Sequence, residues 1–213
     1  MAEYDKDYHR SKHQYLHNES YYKARARLAL TKYFSGVSKN SQVLEFGCGL
    51  GQNIFLLSNR AGYDVSEYAR KFCKKKGIKT YDDFMKIPDN SFDVVFSCHV
   101  LEHLESPLDN LKQLKTKLKK SGKLVLVLPT EKHKKVNFEP DKNQHLYCWN
   151  FRTINNLLSR AGFTVTSNKY LRGKAYRKLL FISRISFPLY RFFTALAAFL
   201  GGNKEMKIVA VKK

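Results

Sequence analysis

Val-Leu-Glu-Phe-Gly-Cys-Gly-Leu-Gly-Gln-Asn, residues 43–53, is an apolar run that breaks into three alternating glycines, Gly47, Gly49 and Gly51. Up to Phe46 it reads as a buried parallel strand, and glycines beyond a strand let the backbone turn tightly and approach a ligand. A phosphate-binding P-loop needs Gly-Lys-Ser/Thr after its last glycine, and Gln52 and Asn53 stand there instead. A dinucleotide loop is spaced G-x-G-x-x-G, and this one is G-x-G-x-G. The segment therefore predicts a ligand loop after a first strand, with a phosphate excluded as its purpose.

Outward from that loop, strand and helix alternate. Ser20 to Tyr33 reads as a helix, Gln42 to Phe46 as the first strand, and Asn53 to Ser58 as a helix fed by the glycine turn. Tyr63 to Val65 is predicted as a short second strand, followed by an N-cap at Ser66 and a helix closed by Gly77. Strands follow at Ile78 to Tyr81, Phe92 to Cys98 and Lys123 to Leu128, with a helix over Leu108 to Leu118 ended by Gly122. Asn150 to Arg160 is helical up to Gly162, and Phe163 to Val165 and Met206 to Val211 are late strands. This order predicts an α/β fold, a Rossmann-like doubly wound, mostly parallel sheet with helices on both faces. The chain is read as one domain over residues 1–213: a helical lid over 1–40, a core over 41–170, a basic apolar insertion over 171–203 and a last strand over 204–213.

The 213 residues carry 39 Lys and Arg against 18 Asp and Glu, a formal charge of +21. That excess favours an anionic partner or substrate. The four cysteines, Cys48, Cys73, Cys98 and Cys148, form no C-x-x-C pair, which argues against a zinc ribbon or disulfide scaffold. The amino-terminal residues are polar and predict no secretory signal, and the expected location is cytoplasmic.

In a doubly wound sheet, ligands lie beyond the carboxyl ends of the strands. Asp64, in Gly62-Tyr63-Asp64-Val65-Ser66, closes the second strand where it can accept both hydroxyls of a ribose. Asp83 and Phe84 follow the third strand and offer a carboxylate for an exocyclic amine and an aromatic face. With Ile87-Pro88-Asp89-Asn90-Ser91-Phe92-Asp93-Val94-Val95 and Leu101-Glu102-His103, the set resembles the class I S-adenosylmethionine (SAM)-dependent methyltransferases over Ser41 to Phe163, in their small-molecule branch. The resemblance implies a seven-stranded sheet with an antiparallel last strand and SAM as cofactor. It implies that Glu45, Gly47, Cys48, Gly49, Gly51 and Asn53 hold the methionine part, Asp64 and Val65 the ribose, and Asp83 and Phe84 the adenine. Cys98 and His99 would wall the sulfonium. A Lys after Gly51 would repel that cation, and none is present. Only twelve residues separate Gly51 from Asp64, so the first helix must be short and the second strand a stub.

His99-Val100-Leu101-Glu102-His103 matches H-x-x-E-H, a zinc-protease string, but that chemistry needs a long helix. Here a buried strand precedes it and Pro107 interrupts, so no metal is assigned. The second histidine cluster runs from Asp141 to Trp149, after the fifth strand. Methyl transfer to a hydroxyl is aided by a base as the proton leaves. His145 is the first candidate, with Asp141 orienting it and His99 a further catalytic candidate. The tyrosines and histidines Tyr4, Tyr8, His9, Tyr15, His17, Tyr21 and Tyr22 suit a lid over the acceptor.

Ala175 to Leu200 is too short in uncharged residues to cross a bilayer. Arg177, Arg184 and Arg191 recur every seven residues and predict one basic stripe on an apolar helix. That pattern fits peripheral contact with an anionic membrane at its inner face, or packing on the core or in a homodimer. The predicted activity is methyl transfer, to oxygen first, on a small-molecule or lipid- or sugar-linked acceptor. RNA methylation is an alternative from the charge, against which no exocyclic-amine motif or RNA-binding module is present, and a non-catalytic SAM-binding regulator is another.

Overall fold

Val43, Leu44 and Phe46 are buried in β1 (Gln42–Phe46), which is flanked on both sides by parallel strands. The computed structural model describes residues 6–130, 144–173 and 176–213. The remaining strands are β2 (Asn59–Tyr63), β3 (Lys79–Tyr81), β4 (Phe92–Cys98), β5 (Leu118–Pro129), β6 (Phe163–Arg172) and β7 (Lys204–Lys212). They form one sheet in the order β3-β2-β1-β4-β5-β7-β6. β7 runs antiparallel to both of its neighbours, as the family resemblance implied.

Alternation along β5 shows how the sheet holds two cores. Leu124, Leu126 and Leu128 face one way, onto Leu111 and Leu114 of α4 (Pro107–Lys117) and Ile154 and Leu158 of α5 (Phe151–Arg160). Val125 and Val127 face the other way, with Val43, Val94 and Phe96, onto Ala29 and Tyr33 of α2 (Glu19–Tyr33) and Cys73 of α3 (Glu67–Lys75). Helix starts follow side-chain chemistry. The Ser66 hydroxyl accepts from Ala69 N at 3.3 Å, and Asn150 and Thr153 form a capping box. α1 (Lys6–Lys12) precedes α2 and packs near α3.

Four expectations are corrected. Residues 52–56 form turns instead of a helix. A six-residue segment is too short to sustain one, and Ile54 and Leu57 are buried without it. β2 therefore begins at Asn59 and is a full five-residue strand, pairing Glu45 with Gly62 and Phe46 with Tyr63. α4 stops at Lys117, and β5 starts at Leu118, before Gly122; Ser121 takes the left-handed turn at φ +61°.

The fourth correction is the basic stripe. α6 (Leu180–Ile185) and α7 (Phe187–Leu200) are separate helices, and Arg177 precedes both, so the three arginines share no helix face. Ser186 between them is extended and caps α7, and Pro188 sits in the first turn of α7, where its missing N–H costs nothing. No helix among the described residues is long and apolar enough to cross a membrane.

Candidate active site

The carboxyl ends of β1, β2 and β4 open onto a cavity of about 440 Å³. The three glycines all have positive φ, at +73°, +51° and +75°, but they are glycines for different reasons. A methyl group on Gly47 would lie 2.3 Å from a Val100 methyl, and one on Gly51 would lie 2.5 Å from Ile78 Cδ1. Those two positions are closed by the protein itself. At Gly49 a side chain would meet nothing within 4 Å, and Gly49 lines the cavity. Gly49 is thus the member of the three that leaves room for a ligand.

Asp64 follows β2 directly and also lines the cavity. Its Oδ2 accepts from Gly49 N at 2.7 Å and its Oδ1 from Ser66 N at 2.9 Å. Burial raises its pKa above the usual aspartate value, opposed by these two amides. Each oxygen keeps a second lone pair for a ligand hydroxyl. Glu45 does not itself line the cavity; it accepts from Nδ2 of Asn53, which does, at 2.6 Å, while its Oε2 is buried with no hydrogen-bond partner. Burial lifts the Glu45 pKa to about 8, against the Asn53 bond that lowers it. Val65 is exposed at the cavity rim. The Cys48 side chain turns away, 4.0 Å from Cys73 Sγ, so this residue offers the cavity its backbone.

Cys98 lies at the end of β4 on the cavity wall, and burial pushes its thiol pKa well up. His99 follows at φ +56°. Its Nδ1 lies 3.4 Å from Glu102 Oε1 and its Nε2 3.3 Å from Glu205 Oε1. Burial works against its charge, yet the two carboxylates raise its pKa to about 9. At neutral pH His99 is an imidazolium.

Other predicted residues lie elsewhere. Asp83 caps the short turn Phe84–Lys86 by accepting from Met85 N at 2.9 Å, and Phe84 packs against Phe46 and Tyr63. Neither lines the cavity. His145 stands behind the wall: its ring meets that of His103 edge-on with centroids 4.8 Å apart, and His103 does line the cavity. Burial lowers the His103 pKa. Glu102, fully buried, brings an oxygen within 4.8 Å of ring nitrogens of His103 and His145, a set with the chemistry of a metal site. Asp141 and Tyr4 fall outside the described residues.

Sequence reasoning missed Arg25 and His13. Tyr8, His9 and His13, from α1 and the turn after it, and Arg25 of α2 complete the wall. Among the described residues no carboxylate lies within 4 Å of the Arg25 guanidinium. Arg25 gave no signal because one arginine in a helix of mixed polarity looks like any exposed cation. Burial lowers the His13 pKa to about 4, so it is neutral. Tyr15, by contrast, is half-exposed under Arg177, and Tyr22 is buried with its hydroxyl on Leu50 O at 2.9 Å.

Comparison with known proteins agrees with this geometry. A family model described as a methyltransferase domain matches residues 15–168. A tRNA U34 carboxymethyltransferase from Pseudomonas fluorescens is 32% identical over 148 residues, covering 59% of this chain and 46% of that protein. The chain spans less than half the length of the curated relatives it matches. A SAM-dependent methyltransferase from Thermotoga maritima superposes with a TM-score of 0.65 at 16% identity, over 100% of both chains. A Burkholderia thailandensis 1,6-didemethyltoxoflavin N1-methyltransferase, with S-adenosylhomocysteine (SAH) bound, gives 0.60 at 12% identity, over 97% of this chain and 84% of that one. Those two likenesses are of fold alone. With the family match over most of its length and the glycine loop and Asp64 in one cavity, the chain belongs to the class I SAM-dependent methyltransferases.

Proposed function

We propose that the protein methylates an oxygen nucleophile on a small or lipid-linked acceptor, with His145 taking the proton directly or through His103. The observation that carries this is the His103–His145 ring contact at the wall of the cofactor cavity. SAM, when bound, supplies a methyl group on a positively charged sulfur. The fit for it rests on the open space at Gly49, the cavity-facing Asp64 carboxylate and the unpartnered Glu45 Oε2. Asp64 accepts the ribose hydroxyls, Glu45 attracts the cationic methionine end, and Arg25 takes its carboxylate. Val65, with Phe46 and Tyr63 nearby, forms the apolar side of the cavity.

Methyl transfer is an in-line displacement, and the protein's main contribution is to hold the two reactants in line. With SAM held by Asp64 and Arg25, an acceptor hydroxyl that took the methyl group would have to give up its proton. That proton needs an unprotonated base. His99 does not qualify, since Glu102 and Glu205 keep it charged; we assign it to positioning the loop after β4. An imidazole is suited to the role, and burial lowers the pKa of His103; α1 with Tyr8 and His9 covers the cavity as a lid.

A second reading takes the acceptor to be tRNA, favoured by the 32% identity to a tRNA U34 carboxymethyltransferase. Incubating a cell extract with the protein and methyl-labelled SAM, then separating small molecules, lipids and RNA before mass spectrometry, tests both. Label in the small-molecule or lipid fraction is expected. Label confined to RNA would establish the second reading instead.

A further inference from the structure

Beside the cofactor cavity lies a second one of about 280 Å³, enclosed by α2, α7 and the end of β6. Arg25 is the wall the two share. Four cations line the second cavity: Arg25, Lys32, Arg172 and Arg191. Lys32 is neutralised by Glu205 at 2.5 Å. Among the described residues, the other three have no carboxylate within 4 Å. Arg172 and Arg191, lining one concave space with no described carboxylate within 4 Å, suit a phosphate, which arginine holds through paired N–H donors.

The surroundings of this cavity decide what carries the phosphate. Tyr190, Thr194 and Ala198 form the buried face of α7, and Tyr190 packs on Ala24 and Leu28 of α2. The opposite face is also apolar: Leu189, Phe192, Phe193, Leu196, Phe199 and Leu200 recur at helical spacing and are exposed. Ile185 of α6, 80% exposed, and Phe181, 61% exposed, extend the patch. A helix apolar on both faces needs a second apolar phase to cover it. Arg172 marks the junction, its guanidinium 4.7 Å from the Phe199 ring centroid while it lines the cavity. No Asp or Glu occurs between Asp141 and Glu205, whereas Arg172, Arg177, Lys178, Arg184 and Arg191 all do.

We propose that this face is a membrane-docking surface: the outer side of α6 and α7 enters the interface of an anionic bilayer, and the cavity lined by Arg172 and Arg191 receives the phosphate of one amphiphile, leaving Arg25 to the cofactor. Two alternatives fit less well. An isologous contact with a second copy would press this uncompensated positive surface against itself. RNA would satisfy the arginines but leave Ile185, Leu189, Leu196 and Leu200 in water, since aliphatic side chains offer bases no stacking partner. This inference deepens the lipid-linked reading of the acceptor and rests on it only for substrate choice; the docking itself needs no catalysis.

The test is co-sedimentation of the full chain with phosphatidylglycerol/phosphatidylcholine vesicles and with phosphatidylcholine vesicles alone. Binding to the anionic vesicles is expected. Arg172→Gln with Arg191→Gln should reduce the partition coefficient roughly 25-fold, about fivefold for each charge removed. Phe192→Ser with Leu196→Ser should weaken binding while leaving the charge intact. Each variant is first shown to melt cooperatively and to give wild-type heat with SAH, which separates failure of docking from failure of the cofactor site. Absence of binding to anionic vesicles overturns the proposal. So does equal binding by the double arginine variant. A dimer in sedimentation velocity that Phe192→Ser with Leu196→Ser converts to monomer overturns it in favour of self-association, and salt-sensitive tRNA binding without vesicle binding overturns it in favour of RNA.

Discussion

His99 Nε2 stands 3.3 Å from Glu205 Oε1, so the loop leaving β4 is tied to the second residue of β7. Glu205 is a junction: Lys32 pairs with it at 2.5 Å and the Tyr33 hydroxyl donates to it at 3.1 Å. Burial pushes its carboxyl up, but His99 and Lys32 pull the pKa down to about 2. The wall of the cofactor cavity is thereby fixed to α2 and to the last strand at once.

Glu205→Gln is expected to destabilise the fold in a pH-dependent manner. His99 has a folded pKa of about 9, above its ordinary 6.5, so its contribution is complete below 6.5 and disappears as pH rises through 9. Glu205, depressed to about 2, contributes above its ordinary value and loses this as pH falls through 2. Both act together near pH 6. With the His99 side chain 38% exposed, solvent screening reduces the pair to about 1 kcal/mol. Thermal melts should show a larger loss at pH 6 than at pH 10. Equal losses would remove the ionic explanation.

The three glycines separate fold from binding. Gly49→Ala should cost about 1–2 kcal/mol for its left-handed backbone and leave a folded protein. Its added methyl then occupies ligand space, so the heat of SAH binding should vanish. Gly51→Ala carries the same backbone cost and also drives a methyl against Ile78 and Cys73, adding about 1–3 kcal/mol. Melting temperature and calorimetry should therefore rank the variants in opposite orders. If Gly49→Ala binds SAH normally, the cofactor does not approach that backbone.

These positions also show how much was legible. β1, β4 and the Ser66 cap follow from local patterns, a buried apolar run and a hydroxyl before a helix, and the structure keeps them. The helix predicted over 53–58 failed because Ile-Phe-Leu-Leu has the composition of a helix but too few residues between two strands to form one. The short Gly51–Asp64 spacing pointed to a shortened helix and a stub of a strand; the chain instead gives up the helix and keeps β2 whole. Arg25, His99's double carboxylate clamp and the cavity under α7 arise from contacts between distant segments, which periodicity does not encode. The seven-residue arginine spacing misled because it assumed one helix where Ser186 separates two.

If the cofactor's cationic end seats near Glu45 as proposed, its binding carries a pH signature. In the free protein the Glu45 pKa is raised to about 8 by burial, so folding becomes less favourable as pH climbs from its ordinary value towards 8. A cationic ligand favours the carboxylate, so binding of SAM should release a proton below pH 8, and affinity should grow as pH approaches 8. Calorimetry at pH 7 in two buffers of different ionisation heat measures that proton. Glu45→Gln should abolish the buffer dependence and raise the melting temperature of the free protein at pH 8. Persistence of the proton release in this variant would assign it to another group.

His145→Ala should lower turnover by about 10²–10⁴-fold, the range of general-base catalysis, while SAH affinity changes little, because His145 lies behind His103 and not on the cavity wall. His103→Asn, which removes a wall residue, should affect turnover and affinity together. Glu102, His103 and His145 also present the donor set of a metal site, which makes a competing explanation testable in the same assay. If His145 acts as a base, dialysis against EDTA leaves turnover unchanged and the His145→Ala defect persists at every metal concentration. If turnover is lost on chelation and restored by a divalent ion, the three side chains serve as ligands. The proton must then leave by another path, because an imidazole nitrogen coordinated to a cation has no lone pair left to accept it.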